Sequence, residues 1–199
     1  MRSSTHPDLK DRCRACYLQE RCCICPHIEP VSVSIDVVVV RHWKESWRSS
    51  NTGRLAGLAI PQCSVQNYGG RGDTFDTTAL LGPQTFLLFP SLKTPTVEEP
   101  PSLPLTRELG VRTLVVLDST WSQARKLVRR IAPLRGMPRV HVQPSSPEPR
   151  RLRRPPFPGG MGTFEAIARA VEVLDGPKAA ATLMALHSRF VTHALAQSG

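Results

Sequence analysis

Residues 112–121 read Arg112-Thr-Leu-Val-Val-Leu-Asp118-Ser-Thr-Trp121: an aliphatic, β-branched run, then an acid, two hydroxyls and an indole. An unbroken apolar run of this length fits a strand buried on both faces, as strands of a parallel sheet are. Its polar end opens a helix. Thr120 can cap a stretch running to about Ile131, in which Trp121, Ala124, Leu127 and Val128 recur at helical spacing on one face. Thr85-Phe-Leu-Leu-Phe89 is a second buried-strand run, and Val31-Ser-Val-Ser-Ile35 alternates before leading into Val37 to Val40, a strand becoming fully buried. Ser49 to Thr52 supply N-caps for a short helix over Arg54 to Ile60 that Pro61 stops, and Cys63 to Tyr68 is a further strand. Arg139 to Val142 reads as a short strand, and Thr163 to Leu174 and Pro177 to Leu195 as helices joined at Gly176. Many of the 19 prolines fall in three stretches, Pro83 to Pro104, Pro133 to Pro149 and Pro155 to Pro158, which read as connectors.

Strands alternating with helices indicate an α/β domain, a largely parallel central sheet flanked by helices. In such sheets ligands bind beyond the carboxyl ends of the strands, so the loops His42 to Asn51, Pro90 to Leu92 and Asp118 to Trp121 become the candidates for function. The chain has 199 residues, 40% of them hydrophobic and 21% charged, which suits one compact domain with a small appendage and excludes wholesale disorder. Its apolar runs fall well short of the roughly 20 residues a membrane-crossing helix needs. With no secretory apolar region among the first residues, a cytoplasmic location is expected.

The appendage is residues 1–30, and the α/β domain is residues 31–199. Cys13-x2-Cys16-x6-Cys23-x-Cys25 places four thiols within a reach suited to tetrahedral Zn²⁺, and this charged stretch lacks the apolar periodicity to fold around a core of its own. The adjacent Cys22 leaves the ligand set open, and a redox-active or incidental thiol cluster is the competing reading. Cys63 lies apart and reads as a buried thiol.

Net charge is +10, and its distribution is uneven. Residues 125–154 carry ten Lys or Arg (Arg125, Lys126, Arg129, Arg130, Arg135, Arg139, Arg150, Arg151, Arg153, Arg154) against Glu148 alone. Such crowding costs folding energy by self-repulsion, which an anionic partner relieves, and guanidinium forks suit phosphate. Aromatic residues are sparse there, so phosphate-backbone recognition of a folded RNA is expected rather than base stacking on a single strand. A solvated face, or one that meets an acidic protein, is the alternative.

Asp118 is either a helix N-cap or a carboxylate held in a ligand crevice as proton acceptor or hydrogen-bonding anchor. Asp118-x-Thr-Trp121 after an apolar strand, Ser50-Asn-Thr-Gly-Arg-Leu-Ala56, His42-x2-Glu45, Leu88-Phe-Pro-Ser91, Arg153-Arg-Pro155 with Thr163-Phe-Glu-Ala166, and the N-terminal cysteines resemble, in the same order over roughly residues 12–190, the DTW-domain proteins, the tRNA-uridine aminocarboxypropyltransferases. Ser119 stands where glycine is more usual, and Gln66 to Gly82 matches no motif.

The resemblance implies a fold similar to the SPOUT superfamily, with a knotted C-terminal half. It implies a transferase that uses S-adenosylmethionine as donor of its 3-amino-3-carboxypropyl chain, delivered to N3 of a tRNA uridine with release of methylthioadenosine. It assigns Asp118 as the base, and Asn51, Thr52, Gly53, Arg54, Pro90, Ser91, Thr120, Trp121 and Thr163 to the donor, with Arg54 pairing to the donor carboxylate. Arg125, Arg129, Arg130, Arg150, Arg151, Arg153 and Arg154 would grip the tRNA, and Cys13, Cys16, Cys23 and Cys25 a structural Zn²⁺. His42 and Glu45 either bind a ligand or brace the motif. No membrane or DNA partner is expected. An S-adenosylmethionine-dependent RNA methyltransferase and a non-catalytic zinc-containing RNA-binding module are the rival readings.

Overall fold

The computed structural model of the protein describes residues 11–90, 100–144 and 149–197. Its strands are β1 (Asp36–His42), β2 (Cys63–Tyr68), β3 (Thr85–Leu88), β4 (Ser102–Pro104), β5 (Thr113–Asp118) and β6 (Arg139–His141). Its helices are α1 (Arg54–Ala59), α2 (Trp121–Arg130), α3 (Ala132–Arg135), α4 (Thr163–Asp175) and α5 (Pro177–Ala196). The six strands form one parallel sheet in the order β2-β1-β5-β3-β6-β4. The run expected to decide the fold, β5, lies between β1 and β3 and is buried from Leu114 to Asp118.

Period-two alternation splits the core across the sheet. Val37, Val39, Leu114 and Val116 face one cluster with α1, α4 and α5, while Val38, Val40, Val115 and Leu117 face a second cluster with α2 and α3. The same alternation carries Arg41 and Asp118 to the first face and His42 to the second.

Three expectations are corrected. Val31, Val33 and Ile35 are buried and Ser32 and Ser34 exposed, as the alternation requires, yet the segment is not a strand. Its amides leave the ladder: Val31 N–H donates to Ala59 O and Ser34 N–H to Asp175 Oδ1. Two stretches read as connectors, Ser102–Pro104 and Ala132–Arg135, form β4 and α3. Pro104 lacks an amide hydrogen, and β4 accommodates it by lying at the sheet edge. The Cys-rich stretch does not pack apart, since Cys16, Leu18, Cys22 and Ile24 are buried in the first core cluster. Gln19 N–H donates to Gln197 Oε1, and His193 Nδ1 lies 3.0 Å from Cys22 O, tying that stretch to α5.

Candidate active site

β1 and β5 are in register with Arg41 opposite Asp118, so both side chains reach the C-terminal edge of the sheet together. Arg41 Nε donates to Asp118 Oδ2 at 2.8 Å. Asn51 Nδ2 donates to both carboxylate oxygens, at 2.8 and 2.9 Å, and the Thr163 hydroxyl donates to Oδ1 at 3.1 Å. These contacts occupy the four lone-pair positions of a carboxylate. Asp118 is 3% exposed. It does not cap α2, whose N-cap is Thr120 in a capping box with Gln123. Asp118 is instead the buried centre of a hydrogen-bonded hub.

The upstream motif closes over this hub. Asn51 Oδ1 accepts the Arg54 N–H at the start of α1, and a Cβ on Gly53 would lie 2.5 Å from the Asp118 carboxylate, so only glycine fits there. The Arg54 guanidinium is committed to the same loop: Nε donates to Asn51 O, Nη2 to Arg48 O and Ser46 O, and its plane lies 4.0 Å from the Tyr17 ring centroid. Burial, and after it the charge of Arg41, pull Arg54 down to about 10. Its Nε and Nη2 thus hold loop carbonyls. Arg41, which sequence reasoning passed over, keeps a buried Nη2 with no hydrogen-bond partner among the described residues. Its sequence signal was a cation ending the Val37 to Val40 run.

Two arginines assigned to RNA are paired within the protein, Arg151 half-buried and Arg153 exposed. Arg151 Nη2 and Nε make a fork with the Oε1 and Oε2 of Glu165, at 2.7 and 2.8 Å, and the Glu165 side chain is fully buried. Arg153 Nη1 donates to Glu45 Oε2 at 2.7 Å, while its Nε and Nη2 donate to Ser50 Oγ. Arg153 thus ties its segment to the loop before Asn51, and Arg151 ties it to α4. Thr120 spends its hydroxyl on the Gln123 N–H. Thr52 Oγ1 lies 3.6 Å from the position of a Cβ on Gly162, which joins the upstream motif to the start of α4. Trp121 stands 5.8 Å from Phe89 and 4.7 Å from Phe157, an aromatic wall next to Pro90. Ser91 lies outside the described residues.

Arg125, Lys126, Arg129 and Arg130 are exposed on α2, and Arg150 and Arg154 are exposed on the later segment. None of the four on α2 has a carboxylate partner among the described residues.

The Cys13, Cys16, Cys23 and Cys25 sulfurs lie within 4.8 Å of one another, with Cys13 to Cys25 at 3.5 Å and Cys16 to Cys23 at 3.9 Å. Tetrahedral zinc with Zn–S near 2.3 Å requires sulfurs about 3.8 Å apart, so the donor set fits that ion. Cys22 is turned into the core and is not one of the four. Burial raises the Cys13 thiol, but the amides of Cys16 and Ala15 outweigh it and bring the group down to about 7, while burial and the neighbouring thiols push Cys25 up.

A family model for the DTW domain matches residues 10–195. Among curated relatives, tRNA-uridine aminocarboxypropyltransferase 2 of Drosophila melanogaster is 28% identical over 181 residues, covering 87% of this chain and 70% of the relative. The protein of the same name from Mus musculus is 23% identical over 177 residues, 85% of this chain and 58% of the relative. That from Macaca fascicularis is 23% identical over 173 residues, 83% and 57%. The chain thus spans only part of the length of these relatives. No solved structure matches it.

Proposed function

The chain belongs to the DTW-domain family, and from that premise we propose that it is a tRNA-modifying transferase that places the 3-amino-3-carboxypropyl group of S-adenosylmethionine on N3 of a uridine. The observation that carries the reading is the buried Asp118 hub with an unpartnered Arg41 Nη2 beside it, at the edge where parallel sheets bind ligands. The names of the relatives support the same chemistry.

When bound, the sulfonium donor supplies an activated γ-methylene, to which N3 bonds as the carbon–sulfur bond breaks and methylthioadenosine leaves. The residues of the chain supply binding, orientation and a proton acceptor. Arg41 Nη2 is the charged donor suited to the amino acid carboxylate. Asp118 is the acceptor of the N3 proton, and Thr163 is the contact that yields, being neutral and the longest of the four at 3.1 Å. Once Asp118 is protonated, the donor carboxylate takes its place as counter-charge to Arg41.

Asn51 and Gly53 keep Asp118 in position, and Pro90, Ser91, Trp121 and the loop before Thr163 flank the adenosine end. N3 lies on the pairing edge of uracil, so the target uridine is unpaired or extruded. Zinc on the four cysteines is structural, holding the turn that carries Tyr17 under Arg54. A SPOUT-like threaded C-terminal half and a cytoplasmic location belong to the same reading.

The test is incubation of the purified protein with bulk tRNA and donor labelled in the aminocarboxypropyl carbons. Labelled aminocarboxypropyluridine together with methylthioadenosine is the expected result. A methylated nucleoside with S-adenosylhomocysteine, or no donor binding in calorimetry, would overturn it.

A further inference from the structure

Arg41 and His42 are consecutive, so they leave β1 on opposite faces of the sheet. Arg41 enters the Asp118 hub, whereas His42 lines a separate cleft between the C-terminal ends of β1 and β2 and helix α2. Its polar lining is His42, Tyr68, Gln123, Lys126 and Arg130, closed at the strand end by the Gly69 turn with φ +90°. No carboxylate among the described residues lines it. Resting on the function proposed above, we propose that this cleft binds a phosphodiester group of the RNA substrate, next to the nucleotide presented to Asp118.

Size, donor chemistry and charge each point to that ligand. The cleft encloses about 70 Å³, room for a compact oxyanion and not for a whole nucleoside. His42 Nδ1 accepts the Lys44 N–H at 3.2 Å, so the neutral ring keeps its proton on Nε2 as a donor. Gln123 Oε1 is taken by the Thr120 N–H at 2.9 Å, which leaves the Gln123 amide NH₂ to donate. Trp43 stacks on His42 with ring centroids 6.2 Å apart and fixes the ring. Burial first, then the charges of Lys44, Arg130 and Lys126 with Glu45 opposing, depress the pKa of His42, so the positive field of α2 reaches the imidazole. An oxyanion would complete five donors and offset that field. Because the cleft and the hub sit back to back at one strand end, an RNA strand crossing the sheet edge meets both.

The deciding experiment compares the unaltered protein with the Lys126→Gln/Arg130→Gln double variant, and with Lys178→Gln as a charge-loss control on α5. tRNA affinity without donor is measured across a salt series, alongside donor affinity and steady-state transfer. The double variant is expected to bind tRNA about tenfold more weakly, with the magnitude of its salt slope lower by about 1. KM for tRNA should rise while kcat at saturating tRNA and donor affinity hold. An unchanged slope and KM in a transfer-competent protein would overturn the cleft alone. Loss of kcat with intact tRNA binding would overturn it too, by placing these residues in the chemistry. Failure of the unaltered protein to transfer the group to tRNA would overturn the function on which the cleft rests.

Discussion

Arg41, Arg54, Arg151 and Arg153 carry the same charge as Arg125, Arg129 and Arg130, but the two sets do opposite work. The first set is turned inward against Asp118, Glu165, Glu45 and the carbonyls of the loop before α1. The second set, with Lys126, stands on the solvent face of α2 without a carboxylate partner among the described residues. A charge excess counted along the sequence is therefore two populations, one that builds the site and one that remains for an outside anion. Removing one member of a buried ion pair strands the other, at a cost of about 3–5 kcal/mol, whereas an exposed charge away from such features changes stability by about 0.5 kcal/mol or less.

The largest effect is expected where the inward set meets the chemistry. Asp118→Asn keeps the shape but removes the proton acceptor, and transfer to tRNA should fall about 10²–10⁴-fold while tRNA binding holds. Single-turnover rates together with filter binding check this, and a wild-type rate would return Asp118 to a purely structural role. Next, Arg151→Ala leaves the Glu165 carboxylate buried and uncompensated, and urea unfolding should show a loss of about 3–5 kcal/mol.

Chelation comes third. Withdrawing zinc from the four cysteines should lower the melting temperature and loosen Arg54 through Tyr17, with one zinc per chain lost by elemental analysis. The outward set predicts the reverse sign. Arg125 and Arg129 are like charges at i and i+4, so Arg125→Gln should raise stability by about 0.2–0.5 kcal/mol in low salt while weakening tRNA binding. A stability loss there would erase the distinction between the two populations.

The smallest effect is a pH dependence beside the Arg151–Glu165 pair. His187 is buried, its Nδ1 has no hydrogen-bond partner among the described residues, and its ring stacks on Phe164 at 6.4 Å. Burial, opposed by Glu165 and aided by Arg151, lowers its pKa below the ordinary 6.5. The unfolded chain therefore takes up a proton before the folded protein does. The His187 contribution is present above pH 6.5 and is lost as the pH falls below it. His187→Gln should flatten that limb of a stability–pH curve.

Much of the scaffold was legible in the sequence because burial on both faces leaves a period that can be read locally. The runs ending at Val40, Phe89 and Leu117 became three adjacent strands, and the Thr120 cap and the Gly176 break were found where expected. What went unread was set by distant partners. Val31 to Ile35 has the side-chain alternation of a strand, but its amides bond to Ala59 and Asp175. Ser102–Pro104 has little apolar content and becomes a strand because β6 offers it an edge.

By itself the sequence determined the α/β layering, a thiol cluster with the reach of a metal site and the presence of Asp118 at a strand end, because periodicity, ligand spacing and strand polarity are properties of short stretches. Only the tertiary structure decided which charges face each other. The register of β1 on β5 brings Arg41 to Asp118, the buried carboxylates of Glu45 and Glu165 find their partners in Arg153 and Arg151, and α2 keeps its cations outside. Coulomb interactions and hydrogen bonds depend on separation in space, and residues 77 apart in the chain, such as Arg41 and Asp118, acquire that separation only when the sheet forms.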